Sequence, residues 1–263
     1  MSEATDTRWL RPCAGHWREG TGPVLLCLPY AGGGALSYAG WEQYPLGGFE
    51  PVAVRLPGRE DRFEEEPVTD WTELITSIAD SLDGLADRPL AVFGHSMGAL
   101  TGYELLRELQ RRGRPAPVLF AASAHRAPQE MPAEVRPPRS TAELLDFVRG
   151  LDNAATAELL EDPEWREWVL RPLDADLRLH DAYRPYADRA GRQPPSATPF
   201  VVLAGEADPT VSARTHAGWA ALTRGGSTRR DYPGGHFYLR EQRDRLLTEL
   251  GRDLRDAIRG ANR

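Results

Sequence analysis

Short, continuously apolar segments alternate along the chain with longer amphipathic ones, the pattern of a mostly parallel sheet covered by helices. Strands are expected at Val24 to Leu28, Glu50 to Arg55, Leu90 to Phe93, Val118 to Ala122, Phe200 to Ala204 and Thr228 to Tyr232. Their apolar character does not alternate, which suits strands buried on both faces. Asp70-Trp71-Thr72-Glu73 reads as an aspartate form of the capping box, and Leu74, Ile75, Ile78, Leu82 and Leu85 follow it at helical spacing. From Met97 to Arg112, Leu100, Tyr103, Leu106 and Leu109 fall near one helical face, and Gly113 can end that helix. A last helix is expected from Arg240 to Ile258. The fold class is α/β.

Between Arg126 and Pro195 the rhythm breaks, and the segment reads as short helices without a long strand. Ser140-Thr141-Ala142-Glu143 can cap one, and Asp162-Pro163 can cap a second with proline at its first position. A third is expected from Pro172 through Tyr186. So much helix between two sheet strands exceeds what a crossover needs. The expected organisation is a core of residues 1–125 and 196–263, with residues 126–195 inserted as a helical lid over a cleft.

Composition narrows the class. The chain has 263 residues, 41% of them hydrophobic and 27% charged, with a formal net charge of −7. That balance is globular, and the acidic total gives little net attraction to nucleic acid. No apolar run approaches the roughly 20 residues that span a bilayer. Met1 to Asp6 has neither a basic start nor an apolar core, so a secretory signal is not expected and the cytoplasm is the expected compartment. Cys13 and Cys27 are too few for a disulfide scaffold, and no metal-binding pattern is evident. All 32 basic residues are arginine, which excludes lysine Schiff-base chemistry and a serine–lysine pair.

The most informative stretch is Phe93-Gly94-His95-Ser96-Met97-Gly98-Ala99, where a buried strand runs through G-x-S-x-G into a helix. That context is the nucleophile elbow, which exposes Ser96 on a sharp turn and places the Met97 N–H where an oxyanion would form. A serine hydroxyl needs a base. His95 should point away from Ser96 across the turn, while His16, His180 and His216 read as surface or packing residues. His125 follows a strand end and is a candidate pocket residue. His236, in the loop Pro233-Gly234-Gly235-His236-Phe237-Tyr238 after the last strand candidate, has the position the general base requires. Asp208, just beyond Phe200 to Ala204, is the expected orienting carboxylate, with Glu206 its local competitor. The loop Pro29-Tyr30-Ala31-Gly32-Gly33-Gly34 lacks the Lys-Ser/Thr ending of a phosphate loop. It can instead supply the second oxyanion N–H, for which Ala31 is the choice, with Tyr30 and Phe237 as further pocket candidates.

These segments together resemble the type II thioesterases of nonribosomal peptide and polyketide assembly lines, which are α/β-hydrolases. The resemblance covers Pro23 to Asp256 and includes Leu56-Pro57-Gly58-Arg59-Glu60-Asp61-Arg62, Arg126-Ala127-Pro128, Arg171-Pro172-Leu173-Asp174-Ala175-Asp176 and Tyr183. It implies hydrolysis of acyl or aminoacyl thioesters on the phosphopantetheine arm of acyl or peptidyl carrier proteins, with no cofactor and no metal. Editing of misloaded carriers is the family's usual role, and dedicated release or transfer is the variant. Carrier contact should be transient, the chain a monomer, and Arg59, Arg62, Arg107, Arg111 and Arg112 candidate contacts for an acidic carrier. A free-standing carboxylesterase or acyltransferase using the same Ser-His-Asp set stays open, as does a noncatalytic ligand-binding protein on the same fold.

Overall fold

The computed structural model describes residues 8–17, 21–132, 136, 139–150, 162–190, 194–208, 211 and 213–261. Among these residues, seven strands form one sheet: β1 (Leu10–Pro12), β2 (Val24–Leu28), β3 (Glu50–Val54), β4 (Leu90–His95), β5 (Leu119–Ser123), β6 (Phe200–Gly205) and β7 (Ser227–Tyr232). Their order is β1-β3-β2-β4-β5-β6-β7. Every pairing is parallel except that of β1 with β3, where Leu10 faces Val54 and Pro12 faces Val52. The sheet is therefore the mostly parallel, helix-flanked one that the apolar rhythm implies. The short edge strand β1 was not expected; three residues ending in proline carry no periodic signal.

Strands β2 to β6 are buried along almost their whole length, whereas β7, Ser227–Tyr232, is exposed or half-buried until its last residue. As the other edge strand it has one neighbour, so polar residues are tolerated there. Alternate residues of β2 enter different cores. Val24, Leu26 and Leu28 pack with the helices α1 (Trp71–Ser81) and α2 (Met97–Arg111), while Leu25 and Cys27 pack on the opposite face with Leu246, Leu250 and Leu254. Fully burying each such large apolar side chain contributes roughly 1.5–3 kcal/mol. At the start of α1, the Asp70 carboxylate accepts the Glu73 N–H at 2.9 Å, as the capping pattern requires.

Two helix expectations need correction. The last helix is divided into α7 (Tyr238–Glu241) and α8 (Arg243–Ala261), with a break at Gln242. In the inserted region, α3 (Thr141–Gly150) has the reciprocal Ser140–Glu143 box. However, Pro172 does not begin a helix: α4 runs from Pro163 to Asp181 straight through it, and the chain breaks again only before α5 (Tyr183–Ala190). Pro172 removes one N–H, but Leu170, Leu173 and Leu177 keep their period across it and pack on Leu144 and Val148 of α3. That small core outweighs the local helix breaker. After α6 (Ala213–Ala220) the chain enters β7.

The inserted helices are tied to the sheet by polar bonds as well as by packing. Trp71 Nε1 donates to the Leu179 carbonyl at 2.6 Å, and the Tyr183 hydroxyl donates to buried Glu104, which also pairs with Arg107. No helix among the described residues is long and apolar enough to cross a membrane.

Candidate active site

The carboxyl ends of β2, β4, β5, β6 and β7 converge on one cleft, as open parallel sheets require of their binding edge. Ser96 closes the turn between β4 and α2 with φ +54° and ψ −124°. A non-glycine residue there costs on the order of 1–3 kcal/mol, which the surrounding structure must offset. It does so by close packing and hydrogen bonding. The Ser96 N–H donates to the Ser123 carbonyl at 2.8 Å, extending the β4–β5 ladder by one bond. A Cβ at Gly94 would fall on the Gly98 carbonyl, and one at Gly98 on the Leu28 carbonyl. Only glycine permits both approaches, and the second seats the elbow against the loop that begins at Pro29.

His236 and Asp208 meet because the loops after β6 and β7 are stitched together. The Glu206 N–H donates to the Tyr232 carbonyl and the Ala207 N–H to the Gly234 carbonyl, at 2.8 and 2.9 Å. His236 Nδ1 then lies 2.8 Å from Asp208 Oδ2, with both side chains nearly excluded from solvent. The carboxylate is an acceptor, so Nδ1 carries the proton and Nε2 presents a lone pair. Glu206, the competitor for this place, is exposed. Pro209 lies outside the described residues.

Ser96, Met97, Ala31 and His236 line a single cavity of about 370 Å3, and His125 belongs to the same wall. Met97 is the first residue of α2, so its N–H has no acceptor a turn earlier in the helix. Tyr30 and Phe237 lie elsewhere: they face each other edge-on at 4.9 Å in an adjoining groove of about 310 Å3, which shares Ala31 and Phe147 with the first cavity. Arg240 borders that groove, donating to the Tyr30 hydroxyl and lying over the Phe237 ring.

His95 turns beneath the elbow and bonds Ser123 Oγ through Nδ1 at 2.8 Å; Ser123 in turn meets the Tyr238 hydroxyl. Burial, reinforced by nearby His236, holds its pKa well below the usual histidine value. Burial followed by the neighbouring His180 brings His125 down to about 3. His125 Nδ1 donates to the Arg126 carbonyl at 2.7 Å, leaving Nε2 to accept from His180 Nε2 at 3.0 Å. The sequence reading missed His180, which lines the Ser96 cavity rather than the outer surface. Its contact with His125 spans 55 residues and has no local signature. His16 is exposed, as expected, and the His216 side chain lies outside the described residues.

The arginine expectations also change. Arg59 and Asp176 form a buried bidentate pair, with Nη1 to Oδ2 at 2.6 Å and Nη2 to Oδ1 at 2.9 Å. Arg62 is buried and paired with Glu65, and Arg107 is buried against Glu104. These three are internal struts instead of surface contacts; Arg111 is exposed and Arg112 half-buried, both paired with Glu108. Among the described residues, no group of three or more histidine, cysteine or acidic side chains could hold a metal ion.

The sheet order, the strained strand–serine–helix turn and the helices inserted after β5 define an α/β-hydrolase fold. Residues 23–254 match the thioesterase domain family. The chain belongs to that family and, within it, to the type II thioesterases, enzymes that hydrolyse thioesters. It is similar to the probable cadicidin biosynthesis thioesterase of Streptomyces griseus, with 33% identity over 96% of this chain and 68% of the relative. The solved structure of BorB, the type II thioesterase from the borrelidin biosynthetic cluster, is 32% identical and superposes with a TM-score of 0.82, covering 96% of this chain and 100% of BorB. RedJ, the thioesterase from the prodiginine biosynthetic pathway in Streptomyces coelicolor, is 34% identical with a TM-score of 0.79, covering 89% of this chain and 86% of RedJ.

Proposed function

We propose that Ser96, His236 and Asp208 are the catalytic triad with which this thioesterase releases acyl or aminoacyl groups from the phosphopantetheine arm of a carrier protein, in the editing or release of polyketide or nonribosomal peptide intermediates. The observation that carries the reading is the oriented imidazole: His236 is fixed by Asp208 at 2.8 Å and lines the same cavity as Ser96. His236 Nε2 takes the Ser96 proton as Oγ attacks the thioester carbonyl. The Ala31 and Met97 N–H groups receive the developing oxyanion, an effect worth about 3–4 kcal/mol per donor in comparable sites. The C–S bond breaks, the imidazolium returns its proton to the thiol, and the acyl group stays on Ser96. Water, deprotonated by the same imidazole, then attacks the acyl-enzyme, and Ser96 leaves with the proton back on Oγ. Asp208 stabilises the imidazolium throughout without taking its proton.

The groove beside Tyr30, Phe237 and Arg240 gives the pantetheine arm a path to Ala31, and the helices of residues 126–195 form the lid over both cavities. Support for the lid comes from α4, whose Leu177 and His180 line the Ser96 cavity and whose Trp168 and Leu173 line the groove. Carrier contact is transient in this reading. The test is incubation with a panel of acylated carrier proteins and their small-molecule oxygen-ester analogues, following released acid by mass spectrometry. Faster release from the carrier-bound thioesters supports the proposal, whereas preference for the free esters places the chain among free-standing esterases.

A further inference from the structure

The Ser96 cavity has a polar side that the hydrolytic steps above do not use. His180 and Asp181 end α4, His125 follows β5 and Arg139 precedes the cap of α3, so three separate segments deliver four polar side chains to one wall. Arg139 donates to Asp181 at 2.7 Å, and their side chains are only 13% and 11% exposed. His180 lies between, with Nδ1 3.5 Å from Asp181 and Nε2 3.0 Å from His125. The remaining lining is largely apolar, including Met131, Phe147, Leu177 and Val211.

A guanidinium carries five N–H donors in a fixed fork. Among the described residues, the hydrogen bond from Arg139 is the one to Asp181. A guanidinium that lines a cavity with donors in excess of its protein acceptors makes a charge-assisted hydrogen bond to an oxygen acceptor bound there. The sign of the wall points the same way. Among the described lining residues, Arg136 and Arg139 stand beside one carboxylate, Asp181. An alkyl chain leaves these donors facing methylene groups, and a cationic chain meets like charge.

We propose that this wall is a specificity subsite in which Arg139, held by Asp181 beside the His125–His180 pair, binds an oxygen acceptor carried by the acyl chain away from the thioester. The acceptor is a keto or carboxylate oxygen, and the preferred substrates are oxygenated acyl groups over plain alkyl ones. The inference rests on the proposal that Ser96 opens thioesters in this cavity.

The experiment measures kcat/KM of the full chain, by thiol release, on four pantetheine thioesters: valeryl, levulinyl, glutaryl and γ-butyrobetainyl. The first three share a five-carbon chain and differ in the distal group; the last ends in a cation that cannot cyclise. Levulinyl or glutaryl should exceed valeryl by about tenfold, with the cationic chain slowest. Comparison of the keto and carboxylate arms tells a neutral acceptor from an anionic one. Arg139→Met should bring the oxygenated-to-alkyl ratio toward one, and Asp181→Asn, which removes the competing carboxylate charge, should raise glutaryl relative to levulinyl. Valeryl turnover equal to or faster than both oxygenated chains overturns the inference, as does an unchanged ratio in an Arg139→Met variant with the parent melting temperature. If that variant does not fold, the four-substrate comparison and Asp181→Asn still decide. Inertness toward all four, together with no labelling of Ser96 by a fluorophosphonate, overturns the underlying serine mechanism and the subsite with it.

Discussion

Arg59 and Asp176, 117 residues apart, form a buried two-pronged ion pair that joins the loop after β3 to helix α4 of the inserted region. The same Asp176 oxygen accepts the Gly32 N–H at 2.8 Å, and Arg59 Nη1 also donates to the Gly33 carbonyl. The residues next to Ala31 are therefore held by a strut that reaches across the cleft. Two of the sequence segments that resemble the family, one around Arg59 and one around Asp176, are the two halves of one contact.

Replacing Arg59 with Met should strand the Asp176 carboxylate in the interior and cost about 3–5 kcal/mol of stability. Arg59→Lys should recover only part of it, because an ammonium cannot match both oxygens. The double variant Arg59→Met/Asp176→Leu should regain stability yet keep a lowered kcat, since Gly32 has lost its acceptor and the Ala31 amide its fixed position. Denaturant unfolding alongside kcat measures the two effects separately. Equal stability of Arg59→Met and the parent would show that the pair is not a strut.

Asp208→Asn keeps the shape of the loop but offers an amide where His236 Nδ1 needs an acceptor of full charge. We expect kcat to fall by about 10⁴-fold, with the melting temperature little changed. A fall of less than tenfold would shift the orienting role to another carboxylate, with Glu206 the nearest in sequence.

Tyr183→Phe removes the hydroxyl that donates to Glu104 at 2.6 Å while leaving the ring on Trp71. Glu104 is buried, and burial already pushes its pKa up. The loss of one bond to a buried acceptor should cost about 1–3 kcal/mol. Because α5 carries Tyr183, hydrogen exchange of α4 and α5 should speed up more than that of the sheet.

The buried histidines set an acid limit on stability. His125 titrates near 3 in the folded protein, against an ordinary value of 6.5, because burial disfavours its charged form. Between those values the unfolded chain binds more protons, so stability rises with pH. The His125 contribution is complete above about 6.5 and is lost as the pH falls toward 3. His95 shifts in the same direction and adds to the loss, whereas Glu104, shifted upward by burial, opposes it. His125→Gln should flatten the pH dependence of unfolding free energy between pH 4 and pH 6 relative to the parent, a comparison in which the other groups cancel. Parallel curves for the two proteins would contradict this.

What the sequence revealed divides along the line between local and distant information. Ser96 is legible because its strand, its glycines and its helix are contiguous, and His236 and Asp208 because each sits in the first loop after a recognisable strand. Arg59 could not be told from a surface arginine, since its partner lies on another element and a lone arginine carries no sign of burial. The same holds for His180, which pairs with His125 only once α4 is laid across the cleft. Pro172 misled in the opposite way: a local breaker signal was overridden by Leu170, Leu173 and Leu177 packing on α3. Tyr30, His125 and Phe237 were expected as pocket residues; Tyr30 and Phe237 line the adjoining groove, and His125 lines the Ser96 cavity.

The most direct test is the turnover of Ser96→Ala on a carrier-bound acyl thioester, measured beside the parent protein with a thermal melt of both. A fall in kcat on the order of 10⁶-fold with an unaltered melt is predicted. Hydrolysis by the pure variant at close to the parent rate would mean that the elbow hydroxyl is not the group that attacks the thioester.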